Sequence, residues 1–283
     1  MKEITNIHLE GERSLFRCQD ALIKDCIFAN GESPLKEGRN LLVDGCTFDY
    51  KYPLWYGKGH EVKNCTFHLR SRSGIWYTDD SYFHDLDIQA PKEFRRCNNI
   101  RLENIVFSLA EETLWNCTKI KRKNIQVKGD YFGRGSSEIE GEDIHIDGNY
   151  IFDGGHDIVR KNCVFHSKDA FWNCKNVTLI NCTIEGEYFA WNSENITCIG
   201  CHFQSHQGFC YRKNLIRKDC TISKDSDLIF EYCSGLSCQI DSCLGIIKNP
   251  ISGKIECRSY EEYIKDDERI DLSQIQVIEN GKI

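Results

Sequence analysis

Seventeen cysteines are the first residues in this chain whose type could do chemistry. Thiolates hold soft metals, and clusters need them grouped in pairs. Only one C-x-x-C is present, Cys198 to Cys201, and without a second pair it makes a weak metal site. The five tryptophans are the second such set. Trp55, Trp76, Trp115, Trp172 and Trp191 fall on one spacing of nineteen to twenty-one residues, and Lys36, Arg95, Arg134 and Asp153 fill the gaps in the same series. Flat aromatic faces beside guanidinium and carboxylate groups are suited to sugar rings, and an outward aromatic row usually marks a binding surface. Trp55, Trp76, Arg95, Trp115, Trp172 and Trp191 are therefore the expected substrate-binding residues. Arg134 and Asp153 are the expected catalytic pair, a base and an acid at the centre of the row. Glycoside hydrolysis needs two carboxyl groups at a set separation. Asp153 is the one carboxylate in the row, and Glu112, Asp130, Asp169 and Glu187 stand near enough in sequence to partner it, although solvated turn carboxylates are commoner. His156 with Asp157 is a further, weaker acid–base pair. No nucleophile elbow or phosphate-binding loop occurs.

A repeat positions these residues. The apolar anchors Cys26, Cys46, Cys65, Leu86, Ile105, Ile125, Ile144, Cys163, Cys182, Cys201 and Cys220 recur every nineteen to twenty-one residues. Two residues after them come Phe28, Phe48, Phe67, Ile88, Phe107, Val127, Ile146, Phe165, Ile184, Phe203 and Ile222, all apolar. A spacing of two puts both on one face of a strand. The residue before each anchor is always Asn, Asp or Gly, from Asp25 and Gly45 through Asn181 and Asp219. These types tolerate the left-handed backbone, so one residue can bend the chain sharply between strands. Further apolar columns lie five and eleven residues upstream, and the apolar pattern of the middle strand is broken at Arg122, Gly141, Arg160 and Arg217. The Trp series lies next to an apolar column and alternation turns it outward. A long turn folded over the tryptophans, making a satellite core, is the competing expectation.

Three short strands and one tight bend per repeat predict an all-β fold, a single-stranded right-handed parallel β-helix of about eleven to twelve coils with terminal caps. A leucine-rich repeat would need one strand per repeat and a leucine-dominated pattern. The expected boundaries are an N-terminal cap over 1–10, coils over 11–247, and a C-terminal cap and tail over 248–283. Within the last part, Ser259 to Asp271 reads as a short helix or loop, and Gln274 to Ile283 as a strand pair turning at Asn280-Gly281. The cysteine anchors read as a buried packing ladder, whereas Cys117 and Cys174 lie outside it and read as turn residues.

The composition is that of a globular protein: 40% hydrophobic, 28% charged and net charge −7. No basic stripe offers a nucleic-acid surface, and no apolar run is long enough to span a membrane. The N-terminus lacks a signal-peptide pattern, so reduced thiols in a cytoplasm are expected, with no disulfides, metal or cofactor.

Long strings carry a resemblance over nearly the whole chain: Gly11-Glu12-Arg13-Ser14-Leu15-Phe16, Gly31-Glu32-Ser33-Pro34-Leu35-Lys36-Glu37, Tyr52-Pro53-Leu54-Trp55-Tyr56, Gly74-Ile75-Trp76-Tyr77, Glu111-Glu112-Thr113-Leu114-Trp115-Asn116-Cys117, Lys168-Asp169-Ala170-Phe171-Trp172-Asn173-Cys174 and Lys248-Asn249-Pro250-Ile251-Ser252-Gly253. They resemble a bacterial right-handed β-helix family of unknown function, pectate-lyase-like in fold and sometimes labelled hydrogenase. The resemblance implies the fold and no catalytic residue, and the ungrouped cysteines give the hydrogenase label no support. The expected function is carbohydrate binding, with processing of the lyase or glycoside-hydrolase kind if the protein is an enzyme. An oligosaccharide is the expected partner. The alternative is a non-enzymatic scaffold or protein-interaction module.

Overall fold

Parallel pairing between segments one repeat apart builds the whole chain. In the computed structural model, which describes residues 2–223 and 225–281, all regular elements are strands except two three-residue turns of 3-10 helix, Leu69–Ser71 and Leu272–Gln274. Asn98–Phe107 pairs in parallel with both Asp79–Ile88 and Thr118–Lys128, so that Leu86, Ile105 and Ile125 share one column, as do Ile88, Phe107 and Val127. This is a right-handed parallel β-helix of about fifteen turns. The chain divides into two compact units, Met1–Ile146 and Asp147–Ile283.

The surplus over the expected coil number comes from the ends. Lys2–Thr5 and His8–Leu9 pair in parallel onto Ala21–Lys24 and Ile27–Phe28, so residues expected to form a cap contribute a turn. After Cys220 the columns lose their spacing, yet Ser234–Ile240, Gly253–Cys257 and Ile275–Glu279 still stack in parallel. Ser259–Ile264, expected as helix or loop, is a strand paired with Cys243–Lys248. Ile275–Glu279 has its partner on the preceding turn rather than across Asn280-Gly281; Lys282 and Ile283 lie outside the described residues. A backbone that can pair with the turn before it needs no strict side-chain period, which is why these turns escape a search for columns.

The bends are left-handed, as the Asn/Asp/Gly column requires: φ is 52° at Asn64, 54° at Asp85, 53° at Asn104 and 52° at Asn124. Their side chains form ladders. Asn104 Nδ2 donates to Asp85 Oδ1 at 2.9 Å and Asn124 Nδ2 to Asn104 Oδ1 at 2.8 Å. A second left-handed column produces a second ladder, with Asn195 donating to Asn176 and Asn214 to Asn195, each at 2.9 Å. Gly200 interrupts the first column at φ 62°, where a Cβ would lie 2.6 Å from Asn181 Oδ1.

Inside the first unit Phe28, Phe48 and Phe67 stack with centroids 4.9 and 4.7 Å apart. Beside them Cys26, Cys46 and Cys65 are buried, and each thiol donates to carbonyls of its own strand and of the preceding turn. All seventeen cysteines are free thiols. Cys117 and Cys174 directly follow the turns that end at Asn116 and Asn173. Both are fully buried, and their thiols donate inward to Phe94 and Phe152 carbonyls at 3.3 and 3.0 Å. A small side chain with a weak donor fits where a turn points its backbone oxygens toward the core.

Candidate functional site

In the first unit the Trp series is an outward stack held by backbone pairing. Trp76 bridges Arg95 and Arg95 bridges Trp115 in parallel register. Trp55 and Trp76 lie face to face, 5.1 Å apart and 9° from parallel. The Arg95 guanidinium sits between two indoles, 4.5 Å from Trp76 and 4.6 Å from Trp115, and Arg134 lies 5.3 Å beyond Trp115. The indole N–H groups fix the ring orientation. Trp55 donates to the Ser73 carbonyl at 2.6 Å, Trp76 to Lys92 at 2.8 Å and Trp115 to Tyr131 at 2.8 Å. Each tryptophan is half-buried. Their faces are taken up by one another and by arginine, and the ring edges form the outer rim. Neither a bare row of platforms nor a covered satellite core describes this arrangement, because a strand rung of about 4.8 Å is too short to leave a gap between stacked rings.

The surroundings of this stack are polar. Glu112 reaches Arg95 Nη2 and Lys92 Nζ, each at 3.2 Å. Tyr56 and Tyr77 form a parallel stack alongside, 4.8 Å apart, with Lys36 over Tyr56 at 5.7 Å. Beneath it, Glu93 is fully buried and accepts the Gly74 N–H at 3.0 Å; burial pushes its carboxyl well above the usual carboxylate range. His60 is buried as well, accepting the Leu41 N–H at Nδ1. Burial lowers its pKa to about 4, with a smaller contribution from Arg39.

In the second unit the outward row is shorter and less regular. Trp172 and Trp191 are 6.2 Å apart at 34°, and Tyr150 and Tyr188 meet Trp172 edge-on. Cys210, the next member of the sequence series, turns inward at 1% exposure, and Tyr211 takes its place 4.6 Å from Trp191. Asp153 accepts from Asn173 Nδ2 at 3.0 Å in a further ladder, in which Asn192 donates to Asn173 at 2.8 Å. Arg134 stands in the first unit and Asp153 in the second. Asp169 is buried and burial raises its carboxyl, whereas Glu187 pairs with Lys168 at 3.4 Å. His156 and Asp157 are exposed and 2.8 Å apart. The Asn176 amide, followed by His156, lowers Asp157, which places this pair in a structural ladder.

Sequence reasoning missed the interior arginines. Arg122, Arg160, Arg212 and Arg217 are all buried, with guanidinium groups against Phe132, Phe152, Phe209 and Phe203 respectively. For Arg122, Arg160 and Arg217 the breaks in the apolar pattern were the signal; Arg212 was not singled out by the sequence. They are not uneven surface positions but cations inside the solenoid.

Among the described residues no helix is long and apolar enough to cross a membrane. Among solved structures the chain is similar to a tailspike protein mutant of E. coli bacteriophage HK620 in complex with a pentasaccharide. Identity is 8% with a TM-score of 0.43, over 99% of this chain and 72% of that one. It is also similar to the A-module of the mannuronan C-5 epimerase AlgE4 of Azotobacter vinelandii, at 8% identity and a TM-score of 0.32, over 99% of this chain and 89% of that one. A third is HetL, a pentapeptide repeat protein of the cyanobacterium Nostoc sp. strain PCC 7120, at 8% identity and a TM-score of 0.28, over 76% of this chain and 87% of that one. No curated protein matches by sequence. The family model that does match spans residues 2–278, and the chain belongs to that family, described as a protein of unknown function (DUF3737).

Proposed function

We propose that this protein binds an extended oligosaccharide along its outward aromatic rows, without requiring a cofactor. The observation that carries this reading is the Trp55–Trp76–Arg95–Trp115 stack: four consecutive rungs of half-exposed rings and guanidinium, all locked in orientation. A stack of that length offers a linear polymer an apolar rim, with Arg95 and Arg134 as hydroxyl donors and Glu112 as acceptor. Each edge contact is weak, so affinity must accumulate over several rungs. Trp172 and Trp191 supply the corresponding rim on the second unit. A processing role falls to Arg134 on the first unit or to Asp153 on the second, each taken by itself.

A glycan array followed by calorimetry tests the reading. Binding of at least one linear glycan is expected, weakened tenfold or more by Arg95→Ala. Arg134→Ala and Asp153→Asn test processing, and turnover lost in either while binding persists marks a catalytic role. An array without hits overturns the proposal. A second reading, a non-enzymatic scaffold, is favoured by the indole faces being covered by their neighbours. Under it, Arg95→Ala and Trp115→Ala change stability alone.

A further inference from the structure

The interior of the second unit holds two arginines whose N–H groups the chain leaves without acceptors. Arg212 and Arg217 are each 1% exposed. Arg212 Nε donates to the Ala190 carbonyl at 3.0 Å. Its two terminal nitrogens, and all three nitrogens of Arg217, are buried and have no hydrogen-bond partner among the described residues. Both guanidinium groups lie over Phe209, at 4.6 and 4.0 Å from its centroid. Phe189 also covers Arg212, at 4.6 Å, and Phe203 covers Arg217, at 4.1 Å. Ring faces offset part of the cost of a buried charge, but they leave the N–H groups at the guanidinium edge unanswered. Arginine does not shed its proton in a protein. Burial brings Arg212 down only to about 10, so it stays charged at neutral pH.

The groups beside them supply no counter-charge. Those acting most strongly on Arg212 across space are the thiols of Cys233, Cys198 and Cys210, and Arg217. The thiols are neutral: burial pushes Cys198 above the ordinary range, Cys233 up to about 12 and Cys210 up to about 11. Among the described residues of this unit the one buried carboxyl is Asp169. It is acted on by Lys168, Glu187 and Tyr150, and by no arginine. The third buried arginine of the unit, Arg160, stands apart. Through Leu179 and Cys198 it is three rungs from Arg217, about 14 Å along the stack. Its Nη1 donates to the Val159 carbonyl at 2.9 Å, and its own ring partner is Phe152.

Short neighbours make room beside these two guanidinium groups. Arg217 is paired between Cys198 and Cys238; Arg212, one residue before the paired Lys213, is level with Ser193 and Cys233. All four are buried. A long side chain between short ones leaves gaps of atomic size, and packed interiors hold few voids larger than a water molecule. A monatomic anion meets that limit, whereas a phosphate or a carboxylate ligand exceeds it. We propose that the second unit encloses one halide ion, chloride or bromide, bound by the N–H groups of Arg217 and the terminal N–H groups of Arg212 as their shared counter-charge. The common ring keeps both groups within reach of one ion, and aromatic edges, positive where the faces are negative, add to the attraction. The ion exchanges its hydration for charge-assisted hydrogen bonds from the guanidinium edges, and no covalent bond forms or breaks. Because the site is sealed, the ion enters as the turns stack and leaves when they open.

Urea unfolding of the full-length protein in sodium chloride or bromide, against sodium gluconate at equal ionic strength, tests this; gluconate is too large for the interior. The midpoint is expected to rise with halide and not with gluconate. For one site, each tenfold rise in chloride above its Kd lowers the unfolding equilibrium constant about tenfold. Arg217→Met removes that dependence, and Arg160→Met keeps it. In gluconate Arg217→Met is the more stable protein, and halide narrows the difference because it stabilises the wild type alone. Crystals grown in bromide are expected to show an anomalous peak at the Arg212 and Arg217 guanidinium groups. The wild-type curve and the bromide peak decide the matter even if a variant fails to fold. A midpoint equal in chloride and gluconate overturns the proposal, water then being what meets the N–H groups. So does a halide dependence that survives Arg217→Met, or bromide found at the surface alone.

Discussion

The outer stack of the first unit and the interior of the second use the same contact in opposite settings. Outside, Arg95 lies between Trp76 and Trp115 with Glu112 at hand and water at its edge. Inside, Arg217 lies 4.1 Å from Phe203 and 4.0 Å from Phe209 with no acceptor on its guanidinium. A cation on an aromatic face gains about 0.5–2 kcal/mol. Outside, that gain is net, because the charge keeps its hydration and an ion partner. Inside, the cost of leaving water is several kcal/mol and exceeds it. The comparison teaches that an arginine in a β-helix column is stabilising or costly according to which face of the strand it occupies, although the residue and its ring partner are the same.

Five experiments break or sharpen that contrast. Deleting an interior ring has the largest effect. Phe203→Ala leaves a cavity and strips Arg217 of its cover, and a loss of about 4 kcal/mol is expected in denaturant titration. A loss no greater than that of an outer ring such as Trp76 would put Arg217 elsewhere than on this face.

Acid comes next, and it acts on the first unit. The folded-state value of His60, about 4, lies below the ordinary 6.5. Below pH 6.5 the unfolded chain takes a proton that the folded chain refuses. Stability is therefore full above pH 6.5, falls as the pH drops toward 4, and levels off below it, a loss of about 3 kcal/mol in all. His60→Gln flattens that slope, and an unaltered slope in the variant assigns the acid sensitivity to other groups.

Removing the buried cation is expected to stabilise. Arg217→Met keeps the apolar stem and removes a guanidinium that has no hydrogen-bond partner. A rise of about 2 kcal/mol by thermal or denaturant unfolding in halide-free buffer is expected. A fall of that size would show the guanidinium to be fully compensated.

The bend column provides a control, since it is alike in both units. Asn64 and Asn181 both stand at φ 52°. Replacing either by valine is expected to cost about 1–2 kcal/mol. Unequal costs would mean that the scaffolds differ and that the arginines are not the source of the contrast. The smallest effect belongs to the outer stack: Arg95→Ala costs about 1 kcal/mol, opposite in sign to Arg217→Met, and salt weakens it further.

Legibility in the sequence followed the strength of the constraint. The bend column was legible because the left-handed backbone accepts few residue types, and Asn64, Asp85 and Asn104 satisfy it openly. The Phe28–Phe48–Phe67 column was legible because stacked rungs repeat their environment. The turns beyond Cys220 were not, because Gly253–Cys257 and Ile275–Glu279 are held by backbone hydrogen bonds that any sequence can make. The outward direction of the Trp row followed from alternation. That its rings would close on Arg95, and that their N–H groups would be used by Ser73, Lys92 and Tyr131, depended on side-chain torsions that spacing does not encode.

What the sequence determined by itself is the repeat: a left-handed bend and inward columns recurring every nineteen to twenty-one residues, from which parallel winding follows. What the tertiary structure decided is which charges went inside. Arg122, Arg160 and Arg217 read as defects in a linear pattern. Their place in the core is set by neighbours from the turns before and after, with Cys198 and Cys238 one rung from Arg217 and Phe203 and Phe209 against its guanidinium. A charge is tolerated in an apolar interior only where groups distant in sequence converge on it, and that convergence exists only once the turns are stacked.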